Sequence, residues 1–323
     1  MILIKTTTRG GDIMKKMLAL LMVLIMLLGI AGCGFSENSI SGEIDTNRFY
    51  FNQLTQYEQL LYTRLEEHEE DIIEGRTFEW FTYDEMDLMN ESDDNKAFFR
   101  VEKAYRLDNP LANIWFCGFD VDPVNQKVYI KPPSNSEGGY GRIDNAEAIR
   151  AICNEIQVIT SEFVETLSGT DEEKLAQIHN WILSGAYYSD DEEYDFLWTV
   201  WGVINSSEHK IACCEGLANA YKYVADQAGL FVISVDGIGV EEDYLLAVEE
   251  ANKSGEEVIT GNHRWNLALT QEGWKLVDLT WDIPDNPENM PPDTEWLFVQ
   301  IQKNGDPEKK YHYESELFDQ YPG

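Results

Sequence analysis

Hydrophobic positions recur at helical intervals through the first half of the chain. From Tyr57 they fall at Leu61, Leu65, His68 and Ile72, and Gly75 closes the run. Steps of three and four place such residues on one buried stripe of a helix. Thr55 and Glu58 precede them at the spacing of a capping box. Phe98, Val101 and Tyr105 predict a second helix, stopped by Asn109-Pro110, and Ile114 to Phe119 with Lys127 to Ile130 predict a short hairpin. Ile149, Ile152, Ile156, Ile159, Phe163 and Leu167 then mark a long amphipathic helix ending at Gly169. A second capping box, Thr170 to Glu173, opens a helix that buries Leu175, Ile178 and Ile182. Leu217, Ala220, Tyr221, Val224 and Ala228 form one face of the next helix, with Gly229 at its C-terminal end. After Gly229 the period shortens: Leu230 to Val235, Trp265 to Leu269 and Trp274 to Val277 predict strands. Helices first and strands after, with no regular alternation, indicate an α+β fold. The expected division is a helix-rich region over 47–169 and a second domain over 170–323.

Composition and charge narrow the partners. The 323 residues carry 24 basic and 59 acidic side chains, a net charge of −35. A surface of that sign repels nucleic acid, so no nucleic-acid partner is expected. No cofactor or metal is implied either. The histidines are scattered, without paired Cys or His spacing. The stretch Asp120 to Asn125 also lacks the glycine and the distal glutamate of a calcium loop.

The N-terminus reads as an address. Lys15-Lys16 precede the apolar run Met17 to Ile30, then Ala31-Gly32-Cys33. A basic start, a short apolar stretch and small residues mark a secretory signal. The ending Ile-Ala-Gly-Cys resembles a bacterial lipobox, which implies a signal peptide over 1–32 and a lipid on Cys33. Residues 33–46 would then be a polar tether, and the chain would be held outside the cytoplasm at the cell membrane.

Candidate chemistry centres on Cys213-Cys214. A thiolate is the nucleophilic form of cysteine, and a helix N-terminus favours its charge. Cys214 stands at such an end, with its own N–H available to a developing oxyanion. Gly216, without a side chain, would let substrate approach the backbone. Cys213 falls on the chain leading in. A thiolate also needs a base, and the base a group to orient it. His263 opens one strand and Asp278 closes the returning one. A turn centred between Thr270 and Gln271 would set them opposite each other, whereas a tight Glu272-Gly273 turn would offset them by four residues. The spacing is compatible with both.

Three stretches, "ACCEGLANAYKYVADQAG", "HRWNLAL" and "WKLVDLTWD", together resemble the transglutaminase-like superfamily, and "DEEKLAQIHNWILSGAYY" resembles the helix before its cysteine. The resemblance covers roughly 170–285. It implies a papain-like domain in which a nucleophile helix packs on an antiparallel sheet, with Cys214 as nucleophile, His263 as base and acid, and Asp278 as orienter of His263. Trp265, Asn266, Trp281 and Asp282 match the same motifs as structural support. Arg264, beside the histidine, would narrow substrate access, and the acidic segment 241–259 would form a rim. The implied activity is an acyl-thioester formed on a protein or peptide amide and passed to water or to an amine. The alternative is a catalytically silent domain of this type that acts as a surface binding module for peptide or wall material.

Overall fold

A computed structural model describes residues 48–76, 78–82, 96–122, 124–130, 145–191, 194, 196–206, 210–239, 253, 262–284, 286–287, 290–301, 311–313, 318 and 321–322. The expected signal, the tether with Cys33, His209 and nearly all of the acidic segment 241–259 lie outside them. The described residues all fall within one compact unit, 44–323.

Within this unit the chain runs α1 (Gln56–Glu67), α2 (Glu69–Ile73), β1 (Phe78–Thr82), α3 (Lys96–Asp108), β2 (Phe119–Asp122), β3 (Lys127–Ile130), α4 (Ala146–Val164) and α5 (Asp171–Leu183). It continues through β4 (Ala186–Tyr188), β5 (Lys210–Ala212), α6 (Cys214–Gln227), β6 (Val232–Gly239), β7 (Asn262–Thr270), β8 (Gly273–Val277), β9 (Leu297–Gln300) and β10 (Tyr311–Tyr313). The chain is α+β. One antiparallel sheet has the order β10-β6-β7-β8-β9, a second has β1-β3-β2, and β4 pairs in parallel with β5.

Local expectations meet the structure unevenly. Both capping boxes form, Thr55 with Glu58 and Thr170 with Glu173. The first stripe breaks at His68, which caps α1 and pairs with Asp71 at 2.9 Å on the surface. Tyr57 is half exposed, and Glu58 is buried in its place because it serves the cap. The hairpin strand lies later than expected. Pro110–Ile114 winds into a 3₁₀ turn that buries Ile114, with Trp115 and Phe116 following it into the core, and Phe119–Asp122 pairs with β3 instead. Strand β1 had no signal strong enough to predict it.

α6 is the spine of the unit. Every residue from Gly216 to Ala225 is buried, although the sequence predicts only one apolar face. One side lies on β6 and β7, and the other is covered by α4, α5 and the 110–114 turn. A helix buried on all sides must satisfy its polar residues internally. Lys222 accordingly donates to Asp226 at 2.8 Å and to the Val232 carbonyl at 3.3 Å. Leu217, Tyr221 and Val224 are fully buried, which stabilises the packing by about 1.5–3 kcal/mol for each such side chain.

Candidate active site

The site forms where the start of α6 meets the start of β7. Cys213 is the N-cap, extended at φ −91 and ψ −178. Its N–H donates to the Leu197 carbonyl at 3.1 Å, and its thiol donates to the same oxygen at 3.5 Å. That pins it inward. Cys214, the first helical residue, is only partly buried and opens into a cleft of about 540 Å³. Tyr187, Tyr188, Trp281 and Pro284 wall that cleft, with His263 across from the thiol.

Register explains how His263 meets its carboxylate. Neither turn anticipated from the spacing is used. Thr270 pairs with Gly273 across a two-residue Gln271-Glu272 turn, so Asn266 lies opposite Val277. Continued one step, Asp278 falls opposite Trp265, two residues from His263 and on the same face. Such diagonal neighbours are within reach of long side chains. The His263 Nε2 to Asp278 Oδ2 distance is 2.6 Å, which leaves Nδ1 as the ring nitrogen for the Cys214 thiol, a hydrogen-bond partner of His263. The other Asp278 oxygen accepts from the Thr280 N–H at 3.0 Å.

Electrostatics divide the two cysteines. Two sulfurs in contact do not both ionise. Contact with Cys213 and then burial push the Cys214 thiol up, against the pull of His263. Cys213 is held below its ordinary value, first by its contact with Cys214 and then by backbone N–H groups of the helix start. Burial opposes a charge on His263, but the Asp278 carboxylate and the hydrogen bonds to Asp278 and Cys214 outweigh it and raise the imidazole to about 10. His263 is thus well able to accept the Cys214 proton, and the pair that results is an imidazolium beside a thiolate.

Period-two alternation sorts the remaining motif residues. Arg264 and Asn266 take the face that α6 covers. Asn266 donates to the Ala218 carbonyl at 3.1 Å, tying β7 to the helix. Contrary to the expectation from its place beside His263, Arg264 does not narrow the cleft. It is buried between Asp236, at 2.5 and 2.8 Å, and Glu215, at 2.7 Å. Trp265 takes the His263 face, is 1% exposed, and stacks on the imidazole at 5.9 Å. Trp281 does line the cleft, with its ring 6.0 Å from that of His263. Asp282 is fully buried and holds His179 of α5 at 3.0 Å. Gly216 corrects the expectation of an open approach: it packs against the Leu197 carbonyl, and a side chain there would collide with it.

Two contributors were not identified from the sequence. Tyr311 of β10 reaches Asp278. Gly239, paired with Tyr311 across the sheet, lies under the imidazole, and a Cβ there would stand 2.5 Å from His263 Cδ2. Gly239→Ala is therefore expected to rotate the ring off its partners, slowing Cys214 chemistry by on the order of 100-fold with little change in the urea midpoint. A wild-type alkylation rate at Cys214 would refute that placement.

No family model matches the chain, and no curated protein matches it. Among solved structures, similarity extends to a candidate cysteine protease from Cytophaga hutchinsonii, at 11% identity and a TM-score of 0.26, over 43% of this chain and 41% of that one. It extends also to a structure described as a TGase, at 13% identity and a TM-score of 0.32, over 53% and 46%. The chain thus spans less than half the length of either structure.

Proposed function

We propose that this chain is a cysteine enzyme of the transglutaminase-like type, anchored outside the cytoplasm through a lipid on Cys33. The observation that carries the reading is the joint placement of Cys214, His263 and Asp278. A partly exposed thiol at a helix start sits against an imidazole whose far nitrogen is held by a buried carboxylate. Nucleophilic catalysis needs those three roles in that order.

In this mechanism His263 Nδ1 takes the Cys214 proton and Asp278 stabilises the imidazolium. The thiolate attacks an amide carbonyl, and the oxygen takes up the negative charge beside the N–H groups at the start of α6. That oxyanion collapses, the C–N bond breaks, and His263 passes its proton to the departing nitrogen. The thioester is then opened by water or by an amine, whose proton returns through His263. The described lining residues offer no charged side chain besides the imidazole, so the donor favoured is a neutral amide flanked by apolar groups.

Casein incubated with the chain, with and without a labelled amine, tests the reading. The expected result is Cys214-dependent acyl transfer, seen as amine incorporation or as cleavage or deamidation when amine is absent, and abolished in Cys214→Ala. No turnover, with Cys214 alkylated no faster than a free thiol, would leave a peptide-binding module and overturn the proposal.

A further inference from the structure

Asp278 is held by more than His263. The Tyr311 hydroxyl donates to Asp278 Oδ2 at 2.7 Å, the same oxygen that stands 2.6 Å from His263 Nε2. Tyr311 is 1% exposed and lies on β10, the edge strand paired with β6. Its ring meets Trp265 edge-on at 5.0 Å and Trp296 at 5.7 Å, and stands 6.3 Å from the imidazole. The hydroxyl therefore has one fixed direction, toward the carboxylate. Packing alone would be served as well by phenylalanine, which requires no buried acceptor.

We propose that Tyr311 is a positioning residue of the site, one that locks carboxylate and imidazole into a single unit through the oxygen they share. The proposal rests on the roles assigned above to Cys214, His263 and Asp278. Oδ2 accepts from two donors and Oδ1 from the Thr280 N–H, so the carboxylate cannot rotate without losing a bond. The carboxylate plane in turn sets the plane of the imidazole, and with it the direction of Nδ1 toward Cys214. The hydroxyl also disperses part of the carboxylate charge, which moderates the pull of Asp278 on the His263 proton. A base that must both accept and return that proton gains from such moderation.

The groups facing His263 define the titration. Cys214 comes from α6, with Cys213 behind it, Asp278 from the end of β8, and Tyr311 from β10. Tyr188 of β4 lies across the cleft, near enough to feel both Cys214 and Asp278. Tyr311→Phe removes one oxygen and leaves the ring in place. The expected results are a fall in kcat of about 10–100-fold with KM unchanged within about twofold, and an upward move of the His263 titration by about half a unit or more.

The titration is read by NMR of the full chain, with the His263 signal assigned from its loss in His263→Ala. An upward move supports the proposal whether or not the chain turns over substrate. No move, or a downward one, overturns it. If His263 moves while Cys214 reacts as an ordinary thiol, the coupling stands and the enzymatic reading falls. The unmodified chain supplies a second measurement that needs no variant: the Tyr311 Cζ signal should shift as His263 titrates, and one that ignores the titration overturns the proposal.

Discussion

His263→Ala is expected to slow alkylation of Cys214 by iodoacetamide at neutral pH by on the order of 100–1,000-fold, and any acyl transfer by about as much or more. The thiolate is the species that reacts, and a cation beside it makes it available. In the resting site contact with Cys213 and burial both oppose ionisation of Cys214, so His263 is the group that favours it. Removing the ring leaves a thiol whose ionisation both burial and Cys213 oppose. Asp278→Asn should act through the same route but less completely, because the ring stays while the charge that raises it to about 10 is gone. Cys213→Ala should leave the rate unchanged or raise it, since the competing sulfur is lost. Peptide mapping supplies an internal reference in Cys153, whose thiol burial pushes up to about 11. Equal labelling of Cys214 in the parent and His263→Ala chains would sink the account.

The legibility of this site followed from how local each signal is. Capping boxes are written within four residues, and both were readable. The start of α6 was readable for the same reason, since Cys214 leads a continuous apolar helix. The pairing of His263 with Asp278 was not derivable from spacing, because a shift of the turn by one residue changes the offset by two. The two-residue turn at Gln271-Glu272 matched neither turn considered. Tyr311 left no sequence signal, because its role depends on β10 joining β6 from far along the chain, and Gly239 left none because its place under His263 depends on the register of β6 on β7. Arg264 was misplaced for a simpler cause. Adjacent residues on a strand point to opposite faces, so the neighbour of His263 in sequence looks away from the cleft.

That opposite face carries the largest expected effect on stability. Arg264→Met should lower the unfolding free energy by about 3–5 kcal/mol near pH 7, measured as a lower urea midpoint at unchanged slope. Arg264 lies opposite Asp236 in the strand register and reaches Glu215, the residue after Cys214. Lys103 of α3 also contacts Asp236 at 3.1 Å, so the network joins the N-terminal helices, the sheet and the start of α6. Burial works against the charge on Asp236, but Arg264 first and Lys103 second outweigh it and bring the carboxyl down to about 2. Burial dominates at Glu215, which is raised despite Arg264. The sign of the pH effect follows. In the parent, Asp236 contributes stability that is present above its ordinary value near 4 and lost as pH falls through about 2. Without Arg264, burial raises both carboxyls, so the folded state binds protons more readily than the unfolded state. The variant should then regain stability between about pH 7 and pH 5. The gap between parent and variant should therefore narrow on acidification. A gap below about 1 kcal/mol, or one that is the same at both pH values, would show that Arg264 acts there through packing rather than charge.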